Sequence, residues 1–431
     1  MVNEDPAGER ASETVELRGH VIDSGLLGQI LDEVMERGAD YEIIRFEVGK
    51  THEDASAVAL RVEADTADEM HALLERLQSY GANPTTVEDV TLVTIERDGV
   101  LSEGFYSTTN LPTRIRVDGK WVDVASPEMD CAIVYDQDTG TARTRPMDDV
   151  RAGMQIVCGL NGIRVTPRSK PRVDDPHKVT FEFMSSEISS EKPQALLVER
   201  VAEGMREAKA AGKKILWVAG PALVHTGSVE PTCALIRAGY MDVLFAGNAL
   251  AAHDIENNFF GTSLGVSMAH GVPTEHGHEH HVRAINRIRQ SGSIAAAVDD
   301  GTLTGGIMWH AVKHNVDMVL AASVRDDGPL PDVIRDAIEA QGEMRKRIPE
   351  VGFALMVATL LHSIATGNML PASVPLVCVD INPASVTKLV DRGSSQSAGI
   401  VTDVGLFLRE LASQLAPEEL ADLRRDAAAT S

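Results

Sequence analysis

Residues 214–228, KILWVAGPALVHTGS, place a short, almost continuous apolar run directly before a glycine-containing turn. The arrangement recurs where VLFAG runs into NALAAHD, MVLAAS into VRDDGPLPD, and LVCVD into INPASV. Such runs between helices are typical of a parallel sheet covered on both faces. We therefore predict a doubly wound α/β domain over residues 181–415. Its strands are expected at residues 214–219, 242–246, 317–322, 376–379 and near 400–402, with covering helices at 194–211 and 331–340.

The residues after these strands predict a ligand site, because doubly wound sheets bind ligands beyond the carboxyl ends of their strands. Gly220 and Gly247 let the chain turn without a Cβ clash. Asn248 lies beside a helix N-terminus that suits phosphate. Asp380 could accept hydrogen bonds from ribose hydroxyls, and Asp327 could bind a further hydroxyl or the nicotinamide side.

These residue types are also ordinary turn formers, which limits what the pattern alone can establish. The sequence contains no GxGxxG fingerprint of a dinucleotide-binding turn. The strand ends therefore predict a nucleotide-type site without choosing the nucleotide.

The first hundred residues alternate in the order β-α-β-β-α-β, which is the ferredoxin-like arrangement. We expect strands at residues 15–22, 41–48, 55–62 and 90–95 and helices at 24–35 and 66–80, in a domain spanning 14–96. Residues 97–180 are rich in β-forming residues and turns and show no helical period. A small β-rich domain or connector is expected there.

Composition excludes several classes of protein. The formal net charge of −24, from 40 basic and 64 acidic residues, argues against a nucleic-acid partner. No apolar run approaches the ~18 residues of a membrane span, and the N-terminus lacks the pattern of a signal peptide. The four cysteines form no CxxC pair, which favours a reducing cytoplasm over disulfides or zinc.

Two polar segments contain further candidates. FMSSEISSEKPQ (residues 183–194) contains Glu187, a candidate acid/base, and Lys192, a candidate partner for a substrate carboxylate. Helix capping and salt bridging are the commoner roles of such residues. HGVPTEHGHEHH (residues 270–281) has five histidines, so a zinc site is one alternative. Its glycines and proline favour a flexible polar loop that acts as a lid, and we expect no metal.

Longer strings resemble a known family. The strings GPALVHTG, AGNALAAHDIE, FGTSLGV, SVRDDGPLPDVI, LLHSIATGNMLP and VDINPASVTKLVDRGSSQSAGIVTDVG, with FMSSEISSEKPQ, resemble the archaeal-type ornithine cyclodeaminases. RGHVIDSGLLGQILDEV and FEVGKTHEDAS resemble the conserved domain of lysine-oxoglutarate reductase/saccharopine dehydrogenase (LOR/SDH). The likeness covers roughly residues 14–410.

The resemblance implies an NAD-binding C-terminal domain similar to deoxyhypusine synthase, and the conversion of L-ornithine to L-proline and ammonia. It implies no attack on arginine, because the chain has no guanidine-hydrolase domain. It also implies the residues that contact NAD: Asn248, Ala249, Asp327, Thr359, Leu360, Leu361, His362, Asp380, Ile400 and Val401.

This reaction is redox-neutral, so we expect the protein to hold NAD tightly. We also expect a cytoplasmic homo-oligomer that serves ornithine catabolism and proline formation. Candidates for proton transfer and substrate holding are Glu187, Lys192 and His225. Two alternatives stay open from the sequence. One is an NAD-dependent amino-acid or saccharopine-type oxidoreductase that releases NADH. The other is a non-catalytic, nicotinamide-binding regulatory protein.

Overall fold

The computed structural model describes residues 10–19, 21, 26–50, 54–86, 88–166, 194–268, 270–272, 274, 277–326, 328–391 and 397–430. These residues form two compact units. The first unit comprises the described residues up to 166 together with Asn368–Ser373, and the second comprises the rest. Each unit has its own apolar core.

The first unit begins with a four-stranded antiparallel sheet covered by two helices. Its elements are β1 (Ala11–Gly19), α1 (Leu26–Glu36), β2 (Asp40–Glu47), β3 (Ser56–Ala64), α2 (Ala67–Ser79) and β4 (Asn83–Pro84), with strand order β2-β3-β1-β4. This order confirms the ferredoxin-like arrangement. Thr66 starts α2 through a capping box, in which its hydroxyl accepts from the Glu69 amide while the Glu69 side chain accepts from the Thr66 amide.

A second sheet of seven strands completes the first unit. It consists of β5 (Thr91–Thr94), β6 (Thr113–Val117), β7 (Lys120–Ala125), β8 (Ala132–Asp136), β9 (Thr141–Arg145), β10 (Gln155–Cys158) and β11 (Ile163–Val165), in the order β11-β6-β7-β9-β8-β10-β5. The strand expected at residues 90–95 therefore exists as β5, but its assignment to the ferredoxin-like sheet was wrong. It pairs with β10, and the two-residue strand β4 takes its place beside β1.

The second unit contains seven parallel strands between layers of helices. Up to the fourth strand its elements are α3 (Gln194–Ala210), β12 (Lys214–Ala219), α4 (Ala222–His225), α5 (Val229–Arg237), β13 (Val243–Gly247), α6 (Asn248–Phe260), the hairpin β14 (Thr262–Ser263) and β15 (Val266–Ser267), α7 (His280–Ser291), α8 (Ile294–Asp299), α9 (Gly306–Lys313), β16 (Asp317–Ala321) and β17 (Val333–Ile334). There follow α10 (Ala337–Arg347), β18 (Val351–Val357), α11 (Leu361–Met369), β19 (Leu376–Asp380), α12 (Pro383–Asp391), β20 (Ser397–Val401), α13 (Val404–Leu415) and α14 (Pro417–Thr430).

The strand order β17-β16-β13-β12-β18-β19-β20 confirms the doubly wound sheet. The buried stretches of the inner strands are apolar because helices cover both faces, and residues such as Trp217 and Phe353 have no exposed surface. Two expectations were wrong. The central strand β18 was missed, and the helix expected at residues 331–340 begins only at Ala337, after the short strand β17. Within the described part of the chain, no helix is both long and apolar enough to cross a membrane.

Candidate active site at the carboxyl edge of the parallel sheet

The point where the strand order reverses lies between β12 and β18. From β12 the chain proceeds outward through β13, β16 and β17, and from β18 it proceeds the other way through β19 and β20. Helices that connect diverging strands leave a crevice at this point, where ligands of such folds bind. Gly220 directly follows β12, and its N–H donates to the carbonyl of Val357 at 2.9 Å.

Gly220 is required here by a close backbone approach. A Cβ atom at this position would lie 1.9 Å from the carbonyl oxygen of Ala358, closer than atoms can approach. Ala358 itself has a φ of 52°, which is uncommon for a residue with a side chain, and its N–H donates to Val379 at 3.0 Å. Strained conformations of this kind cluster at ligand sites. The ends of β12, β18 and β19 are therefore held together by backbone contacts.

The segment after β18, a short loop and the first turn of α11, also reaches the end of β13. An ideal Cβ at Gly247 would lie 3.3 Å from Cε1 of His362, so the missing side chain leaves room for the imidazole. Burial lowers the pKa of His362, which keeps the ring neutral at pH 7. Thr359 and Leu360 lie in the same loop, and Leu361 is largely exposed at the start of α11.

The N-terminus of α6 is suited to a phosphate. Among the described residues, no side chain caps this helix, which leaves backbone donors in the first turn at Asn248 and Ala249. The Asn248 side chain is buried, and its Oδ1 accepts from the amide of Leu330 at 2.9 Å. Asn248, an expected NAD contact, therefore also holds the segment after β16 against α6.

Asp380 ends β19 and lies beside Val401, its partner in β20, while Ile400 is buried next to it. Oδ1 of Asp380 accepts from the amide of Asn382 at 2.8 Å in a local turn. The carboxylate is only partly exposed, and it stands at the strand end where a ribose is bound in doubly wound folds. Glu187, Lys192 and Asp327 fall outside the described residues, and their roles remain predictions.

His225 lies at the end of α4, shortly after Gly220. Its Nδ1 is hydrogen-bonded to Oγ of Ser263 at 2.7 Å, so Nε2 is the nitrogen left for proton transfer. The ring lies 5.2 Å from the ring of His253, measured between centroids. Burial, and secondarily the neighbouring His253, lowers the pKa of His225. A neutral imidazole at physiological pH can accept a proton.

A buried carboxylate, Glu256, organises the residues around His225. It accepts from Nδ1 of His253 at 2.9 Å, from the hydroxyl of Thr262 at 2.9 Å, and from the amides of Leu264 and Gly265 at 3.2 and 2.9 Å. Although burial acts to raise its pKa, the hydrogen bonds from His253, Gly265 and Thr262 lower the pKa below the usual value. Because an ionised carboxylate only accepts, Nδ1 of His253 carries the proton.

The same network includes one of the histidines that we had assigned to a loop. The hydroxyl of Thr262 is donated to Glu256, so Nδ1 of His280 donates to Thr262 at 2.8 Å. His280 also stacks on Phe260 and begins α7, so the last two residues of the stretch 270–281 are helical rather than part of a flexible loop. The described residues contain no group of His, Cys, Asp or Glu side chains arranged to hold a metal ion.

Sequence reasoning missed His253, Glu256 and Ser263. A local signal for the first two exists, since HDIE places a histidine and a carboxylate three residues apart on one helix face. No local signal marks Ser263, because its contact with His225 joins the hairpin β14–β15 to a helix far back in the chain.

Asp254, between His253 and Glu256, has a different role. Its carboxylate accepts from the amides of Ile307 and Met308 at 2.8 Å each and so caps α9. Burial raises the pKa of this carboxyl to about 6, against the effect of these two hydrogen bonds. Asp254 is therefore a structural residue, although it lies next to the network in sequence.

Three family models together match nearly the whole chain. The LOR/SDH bifunctional enzyme conserved region matches residues 12–111. The first C-terminal region of the ArgZ-like arginine dihydrolases matches residues 112–198, and their C-terminal Rossmann fold matches residues 199–411.

Individual proteins give the same result. An ornithine cyclodeaminase of Methanothermobacter thermautotrophicus is 49% identical over 394 residues, which are 91% of this chain and 95% of that protein. The apo structure of cyanobacterial ArgZ, an arginine dihydrolase, is similar with a TM-score of 0.81 and 38% identity, over 94% of this chain and 58% of that one. The complex of AgrE with ornithine and NAD⁺ is similar with a TM-score of 0.51 and 41% identity, over 94% of this chain and 57% of that one. The chain therefore belongs to the family of archaeal-type ornithine cyclodeaminases that carry an N-terminal LOR/SDH region.

Proposed function

We propose that the protein converts L-ornithine to L-proline and ammonia, with NAD bound at the carboxyl edge of the parallel sheet. The observation that carries the proposal is the reversal point between β12 and β18, where Gly220 and Ala358 bring two strand ends into backbone contact. Support also comes from family membership and from the complex of the relative AgrE with ornithine and NAD⁺.

The residues at this edge fit an adenine dinucleotide. The uncapped N-terminus of α6 provides backbone donors for the pyrophosphate at Asn248 and Ala249. Asp380 would accept hydrogen bonds from the ribose hydroxyls, and its charge would repel the 2′-phosphate of NADP. The other proposed contacts of the dinucleotide are Asp327, Thr359, Leu360, Leu361, His362, Ile400 and Val401.

When bound, NAD would supply the hydride acceptor and donor that this redox-neutral conversion of ornithine requires. The side chains must deprotonate the α-ammonium group, guide the δ-amine to Cα and keep water from the imine. His225 is our candidate base, because its lowered pKa keeps it neutral and Ser263 orients its ring. Glu187 and Lys192 are the proposed second acid/base and the partner of the substrate carboxylate.

The test uses ornithine deuterated at Cα. Incubated with the purified protein and catalytic NAD, it should give proline that keeps the deuterium, with no accumulation of NADH. Complete loss of the label, or NADH formed one-for-one with ornithine consumed, would favour an oxidoreductase instead. NAD binding without any product from a panel of amino acids would favour a regulatory protein.

We also propose that the protein acts in the cytoplasm as a homo-oligomer and serves ornithine breakdown to proline. None of the four cysteines forms a disulfide and all are buried, which suits a reducing compartment. The functional division into residues 14–96, 97–180 and 181–415 is part of the same proposal. Sedimentation of the purified protein at micromolar concentration would measure the oligomeric state.

A further inference from the structure

Strand β2 has an unusual surface for the edge of a sheet. Within the described residues it pairs only with β3, so the backbone groups along its other side face outward. All eight of its residues are exposed, including Tyr41 at 38%, Ile43 at 45% and Phe46 at 43%. In natural proteins, edge strands normally carry charged residues or proline, which prevent pairing with the edge strand of another chain.

The register with β3 shows which face these apolar side chains occupy. Tyr41, Ile43 and Phe46 stand opposite Val62, Leu60 and Val58, which are fully buried beneath the helices. The three exposed side chains therefore extend the apolar core face of the sheet beyond its edge. A contiguous apolar surface of this kind is typical of a face that another protein covers.

The other face of β2 carries charges of both signs. Glu42 stands opposite Arg61 and is paired with it at 2.6 Å, while Arg45 contacts Glu16 and Glu47. A β-bulge lies between Ile43 and Arg45, where the register with β3 shifts by one residue. Because of the bulge, Tyr41 and Phe46 share one face of the strand although they are five positions apart.

We propose that β2 pairs antiparallel with β2 of a second copy of this chain, about a two-fold axis between Ile43 and Ile44. The central residues YEIIRF are self-complementary in this register. At the ends of the strand Asp40 stands opposite Glu47, and each of these carboxylates has an arginine partner in its own chain, Arg10 for Asp40 and Arg45 for Glu47. Tyr41 then stands opposite Phe46 of the second copy, Glu42 opposite Arg45, and Ile43 opposite Ile44, and each pair occurs twice. Opposed residues must share a face, which holds for Tyr41 with Phe46 and for Glu42 with Arg45 only because of the bulge.

The charge pair gives the second copy an advantage over other apolar partners. The chain has a net charge of −24, so two random faces repel each other. On β2 each copy presents one arginine to one glutamate of the other, and the two bulges lie opposite each other without an unmatched residue. The result is a continuous eight-stranded sheet, an isologous interface that buries both apolar edges. This inference does not depend on the proposed activity.

Charge reversal on the full-length chain tests the pairing. Arg45→Glu places glutamates opposite glutamates and Glu42→Arg places arginines opposite arginines, so each variant alone should raise the dissociation constant roughly tenfold or more. A mixture of the two variants should restore association, because every pair across the axis is then an arginine with a glutamate. The double variant E42R/R45E should also associate. Native mass spectrometry and sedimentation measure each species.

Two further variants separate pairing from misfolding. Phe46→Lys should halve the mass of the assembly, whereas Met35→Lys, at an exposed apolar position on α1, should not change it. Thermal unfolding of each variant at equal concentration serves as the folding control. A wild-type chain that sediments as a monomer would overturn the proposal, and so would variants that leave the mass unchanged or a mixture that fails to associate.

Discussion

The carboxyl edge of the parallel sheet and the outer edge of the ferredoxin-like sheet both end the regular pairing of strands, yet they differ in chemistry. At the carboxyl edge β12 is followed by Gly220, while β13 ends in Gly247 and β19 in Asp380, which leaves backbone donors and a carboxylate at this edge. Along β2 the exposed groups are backbone amides beside apolar and paired charged side chains.

The difference follows from which part of a strand is exposed. Strand ends offer a few polar groups that converge on a small molecule, whereas a strand side offers a regular ladder that fits another strand. The carboxyl edge is therefore suited to ligand chemistry, and the side of β2 is suited to assembly. Substitutions at the two edges should affect different measurements.

The largest effect is expected from His225→Asn. The amide can keep the hydrogen bond to Ser263 but cannot act as a base, so kcat for ornithine should fall roughly 10²–10⁴-fold. His314→Asn, at an exposed histidine on the far end of α9, should leave kcat unchanged.

The pH profile of the wild-type enzyme gives the same site a second readout. The base must be neutral and burial lowers its pKa, so kcat/KM should decline only as the pH falls below the usual histidine value near 6.5. A decline of kcat/KM on acidification that begins above pH 6.5 would contradict the assignment of His225 as the base.

Glu256→Gln should destabilise the network that holds His253 and the hairpin β14–β15. The amide nitrogen would face backbone N–H groups of Leu264 or Gly265, at a cost of about 3 kcal/mol in the free energy of unfolding at pH 7. The wild-type carboxyl has a lowered pKa, so its stabilisation is present at neutral pH and is lost as the pH falls through that pKa. Urea unfolding at neutral and acid pH should show this loss in the wild type and not in the variant, with Glu418→Gln as control.

Gly220→Ala tests the close approach at the reversal point. Its Cβ would meet the carbonyl oxygen of Ala358, so we expect about 2–3 kcal/mol of destabilisation together with weaker NAD binding. Gly342→Ala is the matched control, because a Cβ at that helical position meets no atom within 4 Å and should be neutral or stabilising. Equal stability of the two variants would exclude the close packing described for β12 and β18.

Asp380→Ala should weaken NAD binding by about 1–3 kcal/mol, the range for hydrogen bonds to a charged group. It should also reduce the ratio of the affinity for NAD to the affinity for NADP. Calorimetry with both dinucleotides measures the two effects, with Glu418→Ala as a surface control. Equal affinities of the wild type for NAD and NADP would count against a ribose at Asp380.

The smallest effect tests whether the stability of the ferredoxin-like sheet and the affinity for NAD are independent of each other. Thr66→Ala removes the capping box of α2 and should cost about 1 kcal/mol in stability while leaving NAD affinity unchanged. Thr86→Ala, at an exposed loop position, should change neither quantity. A loss of NAD affinity in Thr66→Ala would show that the ferredoxin-like sheet contributes to the nucleotide site.

Local sequence patterns predicted much of the fold. The strand expected at residues 214–219 has those bounds as β12, and the period of residues 66–80 predicted α2 within one residue at each end. The central strand β18 was missed because a buried apolar run such as VGFALMV has no period that separates strand from helix. The strand β4 has only two residues, too few for any pattern.

The residue types at the strand ends, and the resemblance to a family, predict a nucleotide site with contacts at Asn248, Asp327 and Asp380, and these contacts stay predictions. The residue types and the resemblance could not predict that Oδ1 of Asn248 is bonded to Leu330, or that His280 joins the network of Glu256. Contacts of this kind depend on which groups are buried together, and a buried polar group has to find a partner wherever the chain provides one.

The sequence by itself determined the alternation of strands and helices, the ferredoxin-like and doubly wound classes, and the glycines and carboxylates that follow the strands. These are local features, set by periodicity and by the conformations that each residue allows. The tertiary structure decided that Gly220 meets Ala358, that Glu256 gathers His253, Thr262 and the hairpin amides, and that β2 is left at an edge. The physical reason is that strand order and burial, which join residues distant in the chain, determine where backbone approach and the hydrogen bonds of buried charges must be satisfied.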